Sequence, residues 1–113
     1  MLILCCAMSD EELKSKDELI EDYIQQMGKG NKEVMSKLYA LIRNDIFSLA
    51  LVELRNYHDA EDILNQTFLE IWRYSSGYIP MKKPMAWIFK IERHLIIAHI
   101  KEGKNTPMIP TQM

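Results

Sequence analysis

Only two cysteines occur in the 113 residues, and they are adjacent, Cys5 and Cys6. No other cysteine exists to pair with either, so a disulfide framework and a cysteine zinc site are both excluded. That usage fits a reducing compartment, and a cytoplasmic protein is expected. Glycine and proline number four each, and valine and threonine are sparse, which disfavours a turn-rich sheet and favours helices. A long apolar run is also missing. The opening MLILCCA is too short to span a bilayer and lacks the basic start of a secretory leader, so no membrane partner is expected. We read residues 1–8 as an extension in front of the folded part, with Met8 as the natural start. No phosphate-cradling loop occurs, because Gly28-Lys29-Gly30-Asn31 lacks the spaced glycines and the following Ser or Thr. The three histidines, His58, His94 and His99, form no HExxH pair, and a five-residue step makes His94 and His99 diverge on a helix. They read as surface or capping groups. No catalytic residue, metal, cofactor or small-molecule substrate is expected.

What is present suits one small helical domain. Hydrophobic residues make up 48% of the chain, enough for a single core and too many for disorder. A net charge of −2 conceals an asymmetry: residues 1–72 carry fourteen acids and seven bases, residues 73–113 seven bases and two acids. An acidic front and a basic back suit two partners of opposite charge, although solvated helix faces alone would also produce them. Ser9-Asp10-Glu11-Glu12 is a capping-box pattern that opens a first helix with Leu13, Ile20, Tyr23, Ile24 and Met27 inward. Its acids read as a solvated outer face. Gly28 and Gly30 end it, and Asn31 caps the next. A second helix is expected over 32–54, with Val34, Met35, Leu38, Leu41, Ile42, Phe47, Leu49 and Val52 giving apolar cover wide enough for a central position.

The organising stretch is residues 58–87. Asp59, Glu61 and Asp62 suit the positive end of a helix dipole, and Asp59 is read as the cap. These three carboxylates do not converge on a point where a metal would sit. Ala60, Ile63, Leu64, Thr67, Phe68, Ile71 and Trp72 recur at three- and four-residue steps, one buried stripe of a third helix reaching Tyr74. A loop with Gly77, Pro80, Lys82 and Lys83 follows. Pro84 then starts a fourth helix, over 84–101, where its missing N–H costs nothing. In that helix Met85, Trp87, Ile88, Ile91, Leu95, Ile96 and Ala98 pack, and Lys90, Arg93, His94 and Lys101 form a basic face. The fold class is therefore all-α, a compact bundle of about four helices over residues 9–104, with 105–113 as a tail.

Asp59-Ala60-Glu61-Asp62, Thr67-Phe68, Trp72-Arg73 and the run from Pro84 to Ile91 together resemble region 2 of the bacterial extracytoplasmic-function (ECF) sigma factors. The resemblance covers residues 33–101, and several separated elements fall in the family's order. It implies a role in transcription initiation, not an enzyme. It implies that Asp59, Glu61, Asp62, Asn65 and Gln66 face the basic clamp helices in the largest subunit of the RNA polymerase core. It further implies that the loop receives a base flipped from the non-template strand of the minus-ten element. Such capture combines aromatic stacking with a basic track, and Tyr74, Tyr78, Lys82 and Lys83 are the loop candidates. Lys90, Arg93, His94 and Lys101 would follow the DNA along the fourth helix, the cations on phosphates, which position without specifying. Trp87 is assigned to the core.

Some positions depart from the family pattern. Gln66 stands where an acid is usual, so a charge-assisted contact becomes a neutral hydrogen bond. His94 replaces an asparagine, Ala98 an aspartate, and Glu102 a basic residue. No region 4 helix-turn-helix, which would read the minus-35 element, follows within the 113 residues. Three readings follow. In the first, the chain is a working sigma fragment, truncated or joined by a separate region 4 protein as half of a split factor. In the second, it is a negative effector that occupies the polymerase clamp, or a partner in the sigma pathway, such as that of an anti-sigma factor, without supporting initiation. The third is a small helical module of sigma ancestry that binds protein only.

Overall fold

The computed structural model describes residues 15–80 and 82–103. Among these residues the chain forms four α-helices and no strand: α1 (Lys16–Gly28), α2 (Val34–Leu54), α3 (Tyr57–Tyr74) and α4 (Pro84–Lys101), with a 3-10 turn over Ser75–Gly77. The all-α bundle expected from periodicity is the observed architecture. The expected domain limits near residues 8 and 105, and the Ser9–Glu12 capping pattern, lie outside the described residues.

The helix starts differ from expectation in ways that capping chemistry explains. Ser15 caps α1: its hydroxyl accepts from the Glu18 N–H, and the Glu18 carboxylate accepts from the Ser15 N–H. This is a complete capping box. Before α2, Asn31 accepts from the Glu33 N–H, but the helix begins only at Val34, two residues later than expected. Asn56, not Asp59, caps α3, because its side chain accepts from the Asp59 N–H. Asp59 therefore sits one turn inside the helix.

Helix α2 is the shared wall. Val34, Leu38, Ile42, Ile46, Ala50 and Leu54 are buried at four-residue steps. One end of that stripe meets Ile20, Tyr23, Ile24 and Met27 of α1 with Phe68 and Ile71 of α3, and the other meets Ala60 and Ile63 of α3 with Ile96 of α4. The expected central position thus holds. Val52, assigned to the apolar set, is instead 70% exposed. A tie across the surface joins Lys16 Nζ to Asp45 Oδ2 at 2.8 Å.

One contact admits only glycine. A Cβ on Gly28 would stand 2.7 Å from the Ser75 carbonyl oxygen and 3.1 Å from Ser76 Cα. Both are backbone atoms that cannot swing aside, so the end of α1 lies directly on the 3-10 turn.

Helix α4 departs furthest from its expected pattern. Its buried residues are Pro84, Ile88, Glu92, Ile96 and His99, while Ala98 is exposed. Burial of His99 corrects its reading as a surface or capping group. Glu92 is fully buried, and among the described residues neither carboxylate oxygen has a hydrogen-bond partner of normal geometry. Burial lifts its pKa to about 8, and the Arg93 charge and the nearby Ala50 backbone offset that rise only in part. A buried acid that stays protonated is the expected outcome where no cation pairs with it.

The sign of the pH dependence follows. The folded carboxyl holds its proton up to about 8, whereas an unperturbed one loses it near 4.5. Between those limits folding takes up a proton, so stability falls as pH rises, by at most ~1.4 kcal/mol per pH unit. The contribution is fully present below the lower limit and lost as pH climbs through the upper one. Glu92→Leu is expected to raise the melting temperature at pH 8 much more than at pH 5, in thermal melts of both proteins. Equal shifts at both pH values would mean that Glu92 is not protonated in the fold.

Candidate functional site

The exposed ridge of α3 arises from its helical repeat. With Ala60, Ile63, Leu64, Thr67, Phe68 and Ile71 turned inward, Glu61, Asp62, Asn65, Gln66 and Leu69 stand together on the outside. Glu61 and Asp62 are exposed, and the Glu61 charge is felt at the Arg43 guanidinium on α2. Asp59 does not join them. It is only 8% exposed, and its Oδ1 lies 3.4 Å from Nε2 of His99, itself buried. Asp59 thus links the start of α3 to the end of α4. Leu69 is 64% exposed and borders a shallow apolar groove with Lys32, Met35 and Trp72.

The loop after α3 is folded back on the body. The Tyr78 ring is buried and meets the half-buried Trp87 edge-on, with centroids 4.7 Å apart. Its hydroxyl donates to Oε2 of Glu21, and the Lys82 N–H donates to the same oxygen at 2.9 Å. This places Tyr78 in the core and removes its ring from the stacking candidates. Trp87 packs on the core as expected. Lys82 has φ +65°, a left-handed conformation that lysine rarely adopts. The side chains of Lys82 and Lys83 are exposed.

Beside the loop, α3 and α4 form a groove of about 300 Å³ lined by Glu70, Arg73, Tyr74, Ile91, His94 and Leu95. Here the fold brings Tyr74 and His94 together from separate helices. Arg73, which in the sequence stands out only as part of a motif, adds a cation to this groove. It lies 3.7 Å from Glu70 and 6.0 Å from the Tyr74 ring centroid. Lys90, Arg93, His94 and Lys101 are exposed along α4, but Ile97 and Ile100, 44% and 48% exposed, interrupt the basic face. Glu21 is the residue that sequence reasoning missed. An acid on an amphipathic helix looks solvated until the loop that covers it is placed. Among the described residues no group of His, Cys, Asp and Glu is arranged to hold a metal, and no helix is long and apolar enough to cross a membrane.

Two helices, a turn and a loop thus present an acidic-amide ridge on α3 and, between α3 and α4, a mixed groove beside the exposed cations of the loop and α4. A sequence model of sigma-70 region 2 matches residues 38–106. The chain belongs to the sigma-70 region 2 family. It is 26% identical over 86 residues to the ECF RNA polymerase sigma factor SigW of Bacillus subtilis (strain 168), covering 76% of this chain and 46% of that protein. It is 28% identical over 72 residues to the ECF RNA polymerase sigma factor SigM of the same organism, covering 63% of this chain and 43% of that protein. The chain therefore spans less than half the length of these curated relatives. No solved structure matches. The sigma region 2 assignment made from the motif string is the family observed, and the all-α bundle is consistent with it.

Asp59 separates from its neighbours by what its loss would do. Asp59→Ala is expected to lower the melting temperature by several degrees, because it removes a buried side chain in contact with His99. Glu61→Ala and Asp62→Ala, on exposed side chains, are expected to shift it by no more than the equivalent of about 0.5 kcal/mol. Thermal unfolding of the three variants checks this, and equal shifts would return Asp59 to the exposed face.

Proposed function

We propose that this sigma region 2 domain acts in transcription initiation by docking on the RNA polymerase core through α3. The observation that carries the reading is the exposed ridge of Glu61, Asp62, Asn65 and Gln66 along one side of α3. An acidic-amide surface on a stiff helix complements the basic clamp helices of the polymerase's largest subunit, and charge complementarity sets both encounter and register. Asp59 contributes by holding the ridge in place. The groove around Tyr74 and His94, with Lys82, Lys83, Lys90, Arg93 and Lys101, then faces the non-template strand of the promoter.

The DNA contact is weak in this reading. Ile97 and Ile100 break the cationic track, Tyr78 is turned into the core, and Ala98 has no polar group to offer a base. The protein then works either with a separate region 4 protein, as half of a split sigma factor, or as a negative effector that occupies the clamp without supporting initiation. Initiation restored by a region 4 partner would select the split factor. Docking on polymerase without DNA binding would select the negative effector, and absence of polymerase binding would leave the protein-only module.

Charge reversal tests the docking surface. Glu61→Lys with Asp62→Lys is expected to weaken binding to the isolated clamp helices at least tenfold, with the helical circular dichroism unchanged. Undiminished binding by the folded double variant removes this assignment. For DNA, affinity for a single-stranded oligonucleotide is expected to fall with salt, since each phosphate that a cation neutralises releases counterions. Lys90→Ala with Arg93→Ala should flatten the log–log slope by about 0.7 for each phosphate left without its cation. A salt-independent affinity, or tight sequence-selective capture by the isolated chain, would contradict the proposed weak phosphate-directed binding.

A further inference from the structure

We infer that Glu21, on α1, is a positioning residue for the DNA-facing loop: its carboxylate fixes the backbone at Lys82 so that the loop's lysines point outward. The inference rests on the reading of that loop as a nucleic-acid surface. Three observations support it. One oxygen of Glu21 accepts both the Tyr78 O–H and the Lys82 N–H, groups 57 and 61 residues away in sequence. Lys82 has φ +65°, where the Cβ of any L-residue crowds the carbonyl oxygen and the conformation is unfavourable without compensation. The N–H bond to the half-buried Glu21 carboxylate is the compensation present, and charge-assisted bonds of this type are among the stronger ones. Finally, Tyr78 is held from its other side by Trp87, so the two ends of the segment are fixed independently.

The geometry separates the two parts of Lys82. Its backbone N–H turns inward to Glu21, while its side chain is exposed. An acid beneath a DNA-facing loop would ordinarily repel phosphate. Here it faces at least two donors of the loop, the Tyr78 O–H and the Lys82 N–H, and its action on DNA is mechanical. This gives a test by sign. If Glu21 acts on DNA only through its charge, both Glu21→Gln and Glu21→Ala remove repulsion and tighten oligonucleotide binding. If it positions the loop, Glu21→Ala weakens binding despite the removal of a negative charge, and Glu21→Gln, which keeps an acceptor oxygen, binds at least as well as the parent.

The experiment pairs two readouts on the full chain: amide hydrogen exchange at Lys82, and affinity for a fluorescent single-stranded DNA oligonucleotide at low salt. Glu21→Ala is expected to speed exchange of the Lys82 amide at least tenfold with the α2 and α3 amides unchanged, and to weaken DNA binding three- to tenfold. Glu21→Gln is expected to retain both properties. Unchanged Lys82 exchange in Glu21→Ala would overturn the anchor. Faster exchange with unchanged or tighter DNA binding would overturn the positioning role. If the parent chain binds no oligonucleotide, the DNA reading of the loop fails and the positioning role falls with it, while the exchange result still reports whether the anchor exists. Should Glu21→Ala disturb the whole fold, Tyr78→Phe removes the hydroxyl donor and leaves the carboxylate and the Lys82 N–H. Slow Lys82 exchange and parental affinity in Tyr78→Phe then support the Lys82 bond as the positioning contact, and loss of both overturns it.

Discussion

Burial of one stripe on α2 is the constraint on which everything else rests. Val34, Leu38, Ile42, Ile46, Ala50 and Leu54 lie on a single line, and each of the other helices covers part of it. A strip of that length cannot be covered by one neighbour, so the second core cluster forms at the Leu54 end and the first around Leu38. The exposed ridge of α3 is set by this packing. Once its apolar face is committed to α2, the helical repeat leaves Glu61, Asp62, Asn65 and Gln66 nowhere to go but outward.

Acidic side chains in this chain serve different physical ends, and sequence position does not separate them. Glu61 and Asp62 are solvated. Asp59, two residues before Glu61, is buried against His99. Glu21 holds a loop, and Glu92 is buried with no hydrogen-bond partner of normal geometry for its carboxyl among the described residues. What distinguishes them is the helix that happens to lie opposite, a property of tertiary packing. Formal charge counts therefore overstate the acidity of the surface: a buried, protonated Glu92 contributes none, and it lies in the basic half of the chain.

The helices and their inward faces are legible in the sequence because they follow a local rule. Apolar residues at three- and four-residue steps identify α3 and α4 within a few residues, and Pro84 marks the start of α4. The family is legible for the same reason, since its motifs lie on those helices. The misreadings all involve contacts distant in sequence or a choice between neighbouring caps. Asp59 reads as a cap because acids favour helix starts, yet Asn56 reaches the required N–H. Tyr78 reads as a loop aromatic because the loop is polar, but its ring enters the core beside Trp87. His99 reads as a surface or capping group, and only its packing against Asp59 of α3 buries it. A polar residue on an amphipathic helix carries no local mark of whether another element will cover it.

The glycine contact between α1 and the 3-10 turn has a consequence for cooperativity. With Gly28 against Ser75 and Ser76, and Glu21 bonded further along the loop, α1 and the segment after α3 open and close as one unit. Local opening in proteins tends to follow such packed units. Opening of α1 and opening of the loop are thus expected to be coupled, although Gly28 and Ser75 stand forty-seven positions apart in the chain. The loop inherits the stability of a helix at the other end of the domain, and its order is a non-local property of the fold.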